Sequence, residues 1–305
     1  MKKVVITDKN RGVDLNLTLK GGRTLSYAEV GDPKGKPLFL FHGLHSSRLE
    51  VALIDEKMKE NNIRVIAIDR VGVGRSTFRE NHTLFDTVDD VVELANSLGI
   101  EKFSVLGTSS GAKYALACAY KIPMRLNAVF CLSSGVPIEF FNDDMPTANR
   151  VMLKFLQKAP WLIKPIFWLS FARISQDSKK VDTFLGNIIY QLDNIDKELL
   201  ANNPEIKKQF AKQCRESYLQ GAKGNSSDAQ IDMLENGWGF KLEEIDFSPI
   251  YAWHGSLDRG IPLSIAKVLE ERVKGIEFKA LEGEGHLTLV FEVLDEVIEK
   301  VDSFI

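Results

Sequence analysis

Short, almost uninterrupted apolar runs alternate along this chain with longer stretches of helical periodicity. PLFLFHG (37–43), VIAID (65–69) and FSVLG (103–107) are such runs. They suit strands buried on both faces, as in a parallel sheet covered by helices. Between them, LEVALIDEKMKENN (49–62) and TVDDVVELANSLGI (87–100) read as helices. In the second, Val88, Val91, Val92, Leu94 and Leu98 fall near helical spacing. AKYALACAY (112–120) and LNAVFCLSSG (126–135) continue the pattern, which predicts an α/β sandwich with a mostly parallel sheet. Ahead of it, VDLNLTL (13–19) and RTLSYAEV (23–30) flank Gly21-Gly22 and predict a hairpin.

The rhythm breaks at Pro137. From there to Lys241 no buried-strand run occurs, and the segment is helical in character. It carries aromatics at Phe155, Trp161, Phe167, Trp168 and Phe171, and a polar loop is expected at GAKGNSSD (221–228). The alternation resumes with PIYAWHG (249–255), LSIAKVLEERV (263–273), IEFKAL (276–281) and LTLVFEVLDEVIEKVDSF (287–304). The expected organisation is a core of residues 1–136 and 242–305, with residues 137–241 inserted as a helical cap. The cap aromatics and VMLKFLQKAPWLI (151–163) suit an apolar pocket; packing of the cap onto the core explains them equally well. A membrane-surface role for the same run is a third, less favoured reading.

Composition narrows the function. The net charge of −3 leaves no basic field for nucleic acid or anionic lipid. Cys118, Cys131 and Cys214 make neither a metal pair nor a disulfide framework, and the first two sit in apolar runs as packed thiols. The first residues, MKKVVITDKNRG, lack the apolar run of a secretory leader. The most apolar stretch, WLIKPIFWLSFARI (161–174), is short and broken by Lys164 and Pro165. A cytoplasmic protein is expected, with a small-molecule substrate and neither nucleic acid nor membrane as partner.

The chemistry concentrates at GTSSG (107–111), between a strand-like run and a helix-like one. Gly-x-Ser-x-Gly in that setting suits a tight strand-to-helix turn whose central residue is strained and exposed. Only one register works: Gly107 and Gly111 flank Ser109, whereas Ser110 would be flanked by Thr108 and Ala112. CLSSG (131–135) looks similar but lacks the first glycine. A serine hydroxyl needs a base, and the base an orienting carboxylate. Of five histidines, His286 follows the last strand-like run, at the sheet edge where Ser109 lies. His254 reads as a structural turn residue, His82 as solvated and His42 as a brace of its own loop. Asp258, after PIYAWHG, supplies the carboxylate; Glu282 and Glu284 read as solvated. The order Ser109, Asp258, His286 matches one known scaffold. Oxyanion donors are expected from the backbone N–H groups of Ser110 and Leu44. VGVGRS (71–76) lacks the third glycine of a dinucleotide loop, and no metal-ligand spacing is present. No cofactor and no metal are expected.

Five ordered motifs, FHG (41–43), DRVGVGRS (69–76), GTSSGAKYALACA (107–119), WHGSLDRGIP (253–262) and GEGHLTL (283–289), resemble the α/β-hydrolase superfamily almost end to end. More narrowly, FHG…SRLE, DDVVELANSLGIEKFSVLG and GWGFKLEEI resemble a broad bacterial group known only as hydrolases. The resemblance implies a twisted, mostly parallel eight-stranded sheet under a helical cap. It also implies Ser109 as nucleophile, His286 as base and Asp258 as orienter. Relatives often carry proline where His45 stands, so His45 is either a polar group facing the pocket or a loop residue. Serine at the elbow argues against the branches that use an aspartate nucleophile. The leading expectation is a cofactor-independent carboxylic ester hydrolase. Carbon–carbon bond hydrolysis and acyl transfer remain open on the same triad, as does a ligand receptor without turnover.

Overall fold

A computed structural model describes residues 12–234 and 236–304. The stretch 1–11, whose composition argued against a leader, lies outside them. Eight strands form one sheet: β1 (Leu15–Thr18), β2 (Thr24–Gly31), β3 (Lys36–Phe41), β4 (Ile63–Ile68), β5 (Phe103–Thr108), β6 (Leu126–Leu132), β7 (Ile250–Gly255) and β8 (Ile276–Leu281). Their spatial order is β1-β2-β4-β3-β5-β6-β7-β8. The hairpin β1–β2 joins antiparallel to β4. Every other neighbouring pair is parallel.

The apolar runs become strands because both their faces are covered. Every residue of β5 and β7 is buried. On one face lie α1 (Leu84–Ser97) and α2 (Ala112–Lys121); Leu84, Val88, Val91 and Leu94 of α1 are fully buried there. Each such side chain contributes about 1.5–3 kcal/mol relative to exposure. A reciprocal cap starts α1: Thr83 accepts from the Asp86 N–H while the Asp86 carboxylate accepts from the Thr83 N–H. Val51, Met58, Val293, Val297 and Val301 cover the other face. The helix expected over 49–62 is interrupted. A 3-10 turn at Arg48–Leu53 precedes a helix at Asp55–Glu60, and Arg48 bonds to Asp69 through both its N–H and its guanidinium.

Between Leu132 and Ile250 the described residues contain no strand. Helices α3 (Thr147–Lys158), α4 (Ile163–Phe167), α5 (Asn194–Asn202), α6 (Pro204–Glu216) and α7 (Lys223–Met233) lie there. A π turn, Trp168–Ala172, extends α4. This segment has its own small core of Phe171, Ile174, Phe184, Leu185, Cys214 and Tyr218. The polar loop expected at 221–228 is instead mostly helix: α7 starts at Lys223 and buries Asn225, Ser226 and Asp228. Asp228 finds its partners on the core, Asn225 accepts the His45 N–H and donates to Ser217, and Ser226 donates to the Lys223 carbonyl. All three cysteines are buried. No helix among the described residues is long and apolar enough to cross a membrane.

Candidate active site

In a parallel sheet the carboxyl ends of the strands share one edge, and the loops leaving them meet there. Ser109 follows β5, Asp258 follows β7 and His286 follows β8. Ser109 takes a φ of 53°, a left-handed conformation that costs a non-glycine residue about 1–3 kcal/mol. The turn is tight enough to require both glycines. A Cβ on Gly111 would stand 2.0 Å from the Phe41 carbonyl oxygen, and one on Gly107 would stand 2.5 Å from the Ala112 Cα. Ser109 and His286 line one cavity of about 560 Å³ between the sheet edge and the helical segment. Leu44 lines it too, while Ser110, whose hydroxyl is buried without a partner, does not.

His286 Nδ1 donates to Asp258 Oδ2 at 2.6 Å, which leaves Nε2 as the unprotonated ring nitrogen of the neutral form. The other Asp258 oxygen accepts the N–H groups of Gly260 and Ile261 at 2.9 and 3.0 Å. Burial alone would raise the Asp258 carboxyl, but His286 and these bonds outweigh it and hold it below its usual range. Burial alone would lower His286, but the Asp258 charge, with Asp196 and Asp193 adding to it, raises it above the ordinary histidine value. His254 is engaged elsewhere. Its Nε2 donates to the Ile261 carbonyl at 2.7 Å, and burial lowers its pKa despite nearby Asp258.

Several residues that hold this arrangement were not singled out from the sequence. Glu50 ties the Ser109 turn to the loop after β3: one oxygen accepts the Thr108 hydroxyl at 2.6 Å, the other the Ser46 hydroxyl at 2.8 Å and the Gly43 N–H at 3.3 Å. Arg70 donates to the carbonyls of His42 and Gly43 and pairs with Asp228 of α7 at 2.6 Å. Asp228 also meets Tyr114 and Lys113, and is 1% exposed. Burial favours its neutral form, yet Arg70 and Lys113 hold it charged, far below the usual carboxylate range. Asp196 of α5 accepts the N–H groups of His286, Leu287 and Thr288 at 2.8–2.9 Å. Burial pushes its carboxyl up to about 6, with the Thr288 N–H opposing and Asp193 adding. Gly285 makes room for it, since a Cβ there would stand 2.4 Å from an Asp193 oxygen and 2.7 Å from one of Asp196. The serine of CLSSG, Ser133, also has a positive φ of 48° and donates its hydroxyl to the His286 carbonyl. Only its strand-end position hinted at this.

The remaining histidines divide. His42 is buried and donates Nδ1–H to the Gly43 carbonyl, within its own loop. His45 lines the cavity, hydrogen-bonds to the Tyr218 hydroxyl at 2.5 Å and lies against Phe167 and Phe171. Burial lowers it to about 4, so it is neutral. His82, expected to be solvated, is 6% exposed because α7 covers it.

The cavity wall is mainly apolar, with Leu153, Leu156, Ile163, Phe167 and Phe210 contributed by the helical segment. Among the described residues lining it, Glu50 is the one carboxylate, and no Lys or Arg lines it. No group of three or more metal-ligating side chains that could hold an ion occurs among the described residues.

A family model described as alpha/beta hydrolase fold matches residues 36–293. A proline iminopeptidase of Xylella fastidiosa (strain 9a5c) is 33% identical over 114 residues, a stretch covering 35% of each chain. One from Clostridioides difficile (strain 630) is 24% identical over 90% of this chain and 92% of its own. Among solved structures, a hydrolase from Pseudomonas aeruginosa PA01 superimposes with a TM-score of 0.70 at 18% identity, covering 97% of this chain and 99% of that one.

Proposed function

The chain belongs to the alpha/beta hydrolase fold family, and from that premise we propose that it is a serine hydrolase of carboxylic esters with a large apolar part. One observation carries the reading: Ser109, on its strained turn, and His286, hydrogen-bonded to Asp258, line the same apolar cavity. In the proposed mechanism, His286 Nε2 removes the Ser109 proton as Oγ attacks the ester carbonyl. Asp258 keeps the Nδ1–H tautomer and stabilises the imidazolium. The N–H groups of Leu44 and Ser110 receive the oxyanion. His286 then protonates the leaving alcohol, and water, activated by the same base, releases the acid from Ser109. The helical segment acts as the cap, and its apolar side chains receive the acyl or alcohol chain. Cavities of about 300–1,000 Å³ accept ligands of that size.

The relatives' name suggests cleavage next to proline instead. A peptidase that grips an amino terminus must bury a cation, which calls for an unengaged carboxylate. Glu50, the one carboxylate among the described residues of the wall, is already committed to Gly43, Ser46 and Thr108. That favours a neutral substrate.

The test is a series of p-nitrophenyl esters of increasing acyl length. We expect kcat/KM to rise with length, and a fluorophosphonate probe to label Ser109. Ser109→Ala should lose roughly ten-thousandfold or more of the turnover. Labelling at another residue, or faster turnover of prolyl amides than of any ester, would overturn the reading.

A further inference from the structure

Residues 145–176 contain no Asp or Glu but hold five cations, Arg150, Lys154, Lys158, Lys164 and Arg173, in a chain of net charge −3. They build α3, α4 and the π turn. Sequence reading offered two principal roles for the aromatics here, lining the pocket or packing the insertion down. Phe167 and Phe171 do line the cavity. Phe155, Trp161 and Trp168 do neither, being 54%, 68% and 53% exposed.

The exposed side chains form stripes. On α3, Val151, Lys154, Phe155 and Lys158 are all exposed at helical spacing. From the turn before α4, through α4 and into the π turn, the exposed stripe is Trp161, Lys164, Trp168 and Leu169. Lys154, Lys158 and Lys164 have no ion-pair partner among the described residues. Both helices pack on α7 with their other sides, and Leu156 and Ile163 line the cavity from there. Met152 is both 48% exposed and part of the cavity wall, so the outer stripe reaches the cavity mouth.

A large exposed apolar patch marks a binding surface. Interleaved aromatics and lysines, without acidic residues, are the pattern of helices that lie in a bilayer interface. Indole rings favour the headgroup level, and lysines are drawn to anionic lipid. An isologous dimer through this face would set like charges against each other. We propose that this outer face docks onto an anionic lipid surface. Trp161, Trp168 and Phe155 enter the headgroup layer, and Lys154, Lys158 and Lys164 face the lipid phosphates. The low net charge of the whole chain argued against a membrane partner, but it averages over this local basic face. Docking is independent of whether the site cleaves esters, and its test needs no turnover.

The full chain is floated with vesicles of phosphatidylcholine alone and with vesicles about one-third phosphatidylglycerol, at rising ionic strength. We expect uptake by the anionic vesicles only, falling as salt rises. The triple variant Lys154→Gln/Lys158→Gln/Lys164→Gln should lower partition roughly a hundredfold, since each surface cation is worth about fivefold. Of the four tryptophans, Trp238 and Trp253 are buried. A blue shift of emission on the anionic vesicles should therefore disappear in Trp161→Ser/Trp168→Ser. Circular dichroism checks that both variants fold. Equal uptake by neutral vesicles, no uptake by either, or unchanged uptake by the lysine variant would overturn the proposal. So would a dimer abolished by the tryptophan variant in a protein that ignores vesicles, because the face would then belong to a second copy.

Discussion

The sheet core and the helical segment are held by different balances of apolar and polar contact. The core joins apolar runs through two continuous layers of buried side chains on the faces of one sheet. The helical segment shares the sheet's apolar layer through Met145, Ile231, Trp238 and Phe240, has small apolar clusters of its own, and is tied to the core by buried polar bonds as well. Asp228 meets Arg70 and Lys113, Asp196 meets the His286 loop, and Gln209 and Ser47 each bond to backbone of the other part. Apolar burial is non-directional and tolerates sliding, whereas a buried ion pair fixes one position. The polar ties end at the loops that carry Leu44 and His286. The insertion therefore both covers the site and sets where its groups stand.

The sharpest way to break this contrast is Asp228→Ala. It leaves Arg70 and Lys113 buried without their counter-charge, and we expect a loss of about 3–5 kcal/mol of stability in urea unfolding. A loss under 1 kcal/mol would mean that the ties matter little next to the apolar clusters.

Asp196→Asn should act on rate more than on stability. With the His286 loop less firmly held, kcat/KM should fall about 10- to 100-fold, equivalent to about 1.4–2.7 kcal/mol. A pH profile separates electrostatics from placement. His286 acts as base only when neutral, and its pKa lies above the usual histidine value, so activity should rise with pH through a midpoint above about 6.5. The Asp196 charge contributes to that elevation; removing it should move the midpoint to lower pH. An unmoved midpoint with lowered rate would assign Asp196 to placement alone. The smallest effect belongs to the outer face: Phe155→Ser should change stability by no more than about 0.5 kcal/mol, because more than half of that residue is exposed.

Much of the fold was legible beforehand. β3 through β7 lie where apolar runs predict them, since burial on both faces selects continuous apolar sequence, whereas the edge strand β8, with no buried residue, follows the strand-like run IEFKAL. The register of GTSSG pointed to Ser109, and a φ of 53° at that residue fits the strained turn the pattern demands. The ester-hydrolase triad itself remains a proposal that labelling must decide. Misreadings fell where polar residues are buried. GAKGNSSD looked like a loop and His82 like a solvated side chain, because both predictions treated polarity as exposure. Arg70, Lys113 and Tyr114, distant in sequence, supply the partners that make α7 a buried helix.

The sequence by itself determined the strand–helix rhythm and the one serine flanked on both sides by glycines. These depend on periodicity and local backbone demands, which neighbouring residues encode. Only the tertiary structure decided that Asp196 holds the His286 loop and that Glu50 ties the Ser109 turn to the loop after β3. It alone showed which aromatics face the cavity and which face solvent. A buried polar group is stable only beside its partner, and chain folding, not sequence spacing, brings the two together.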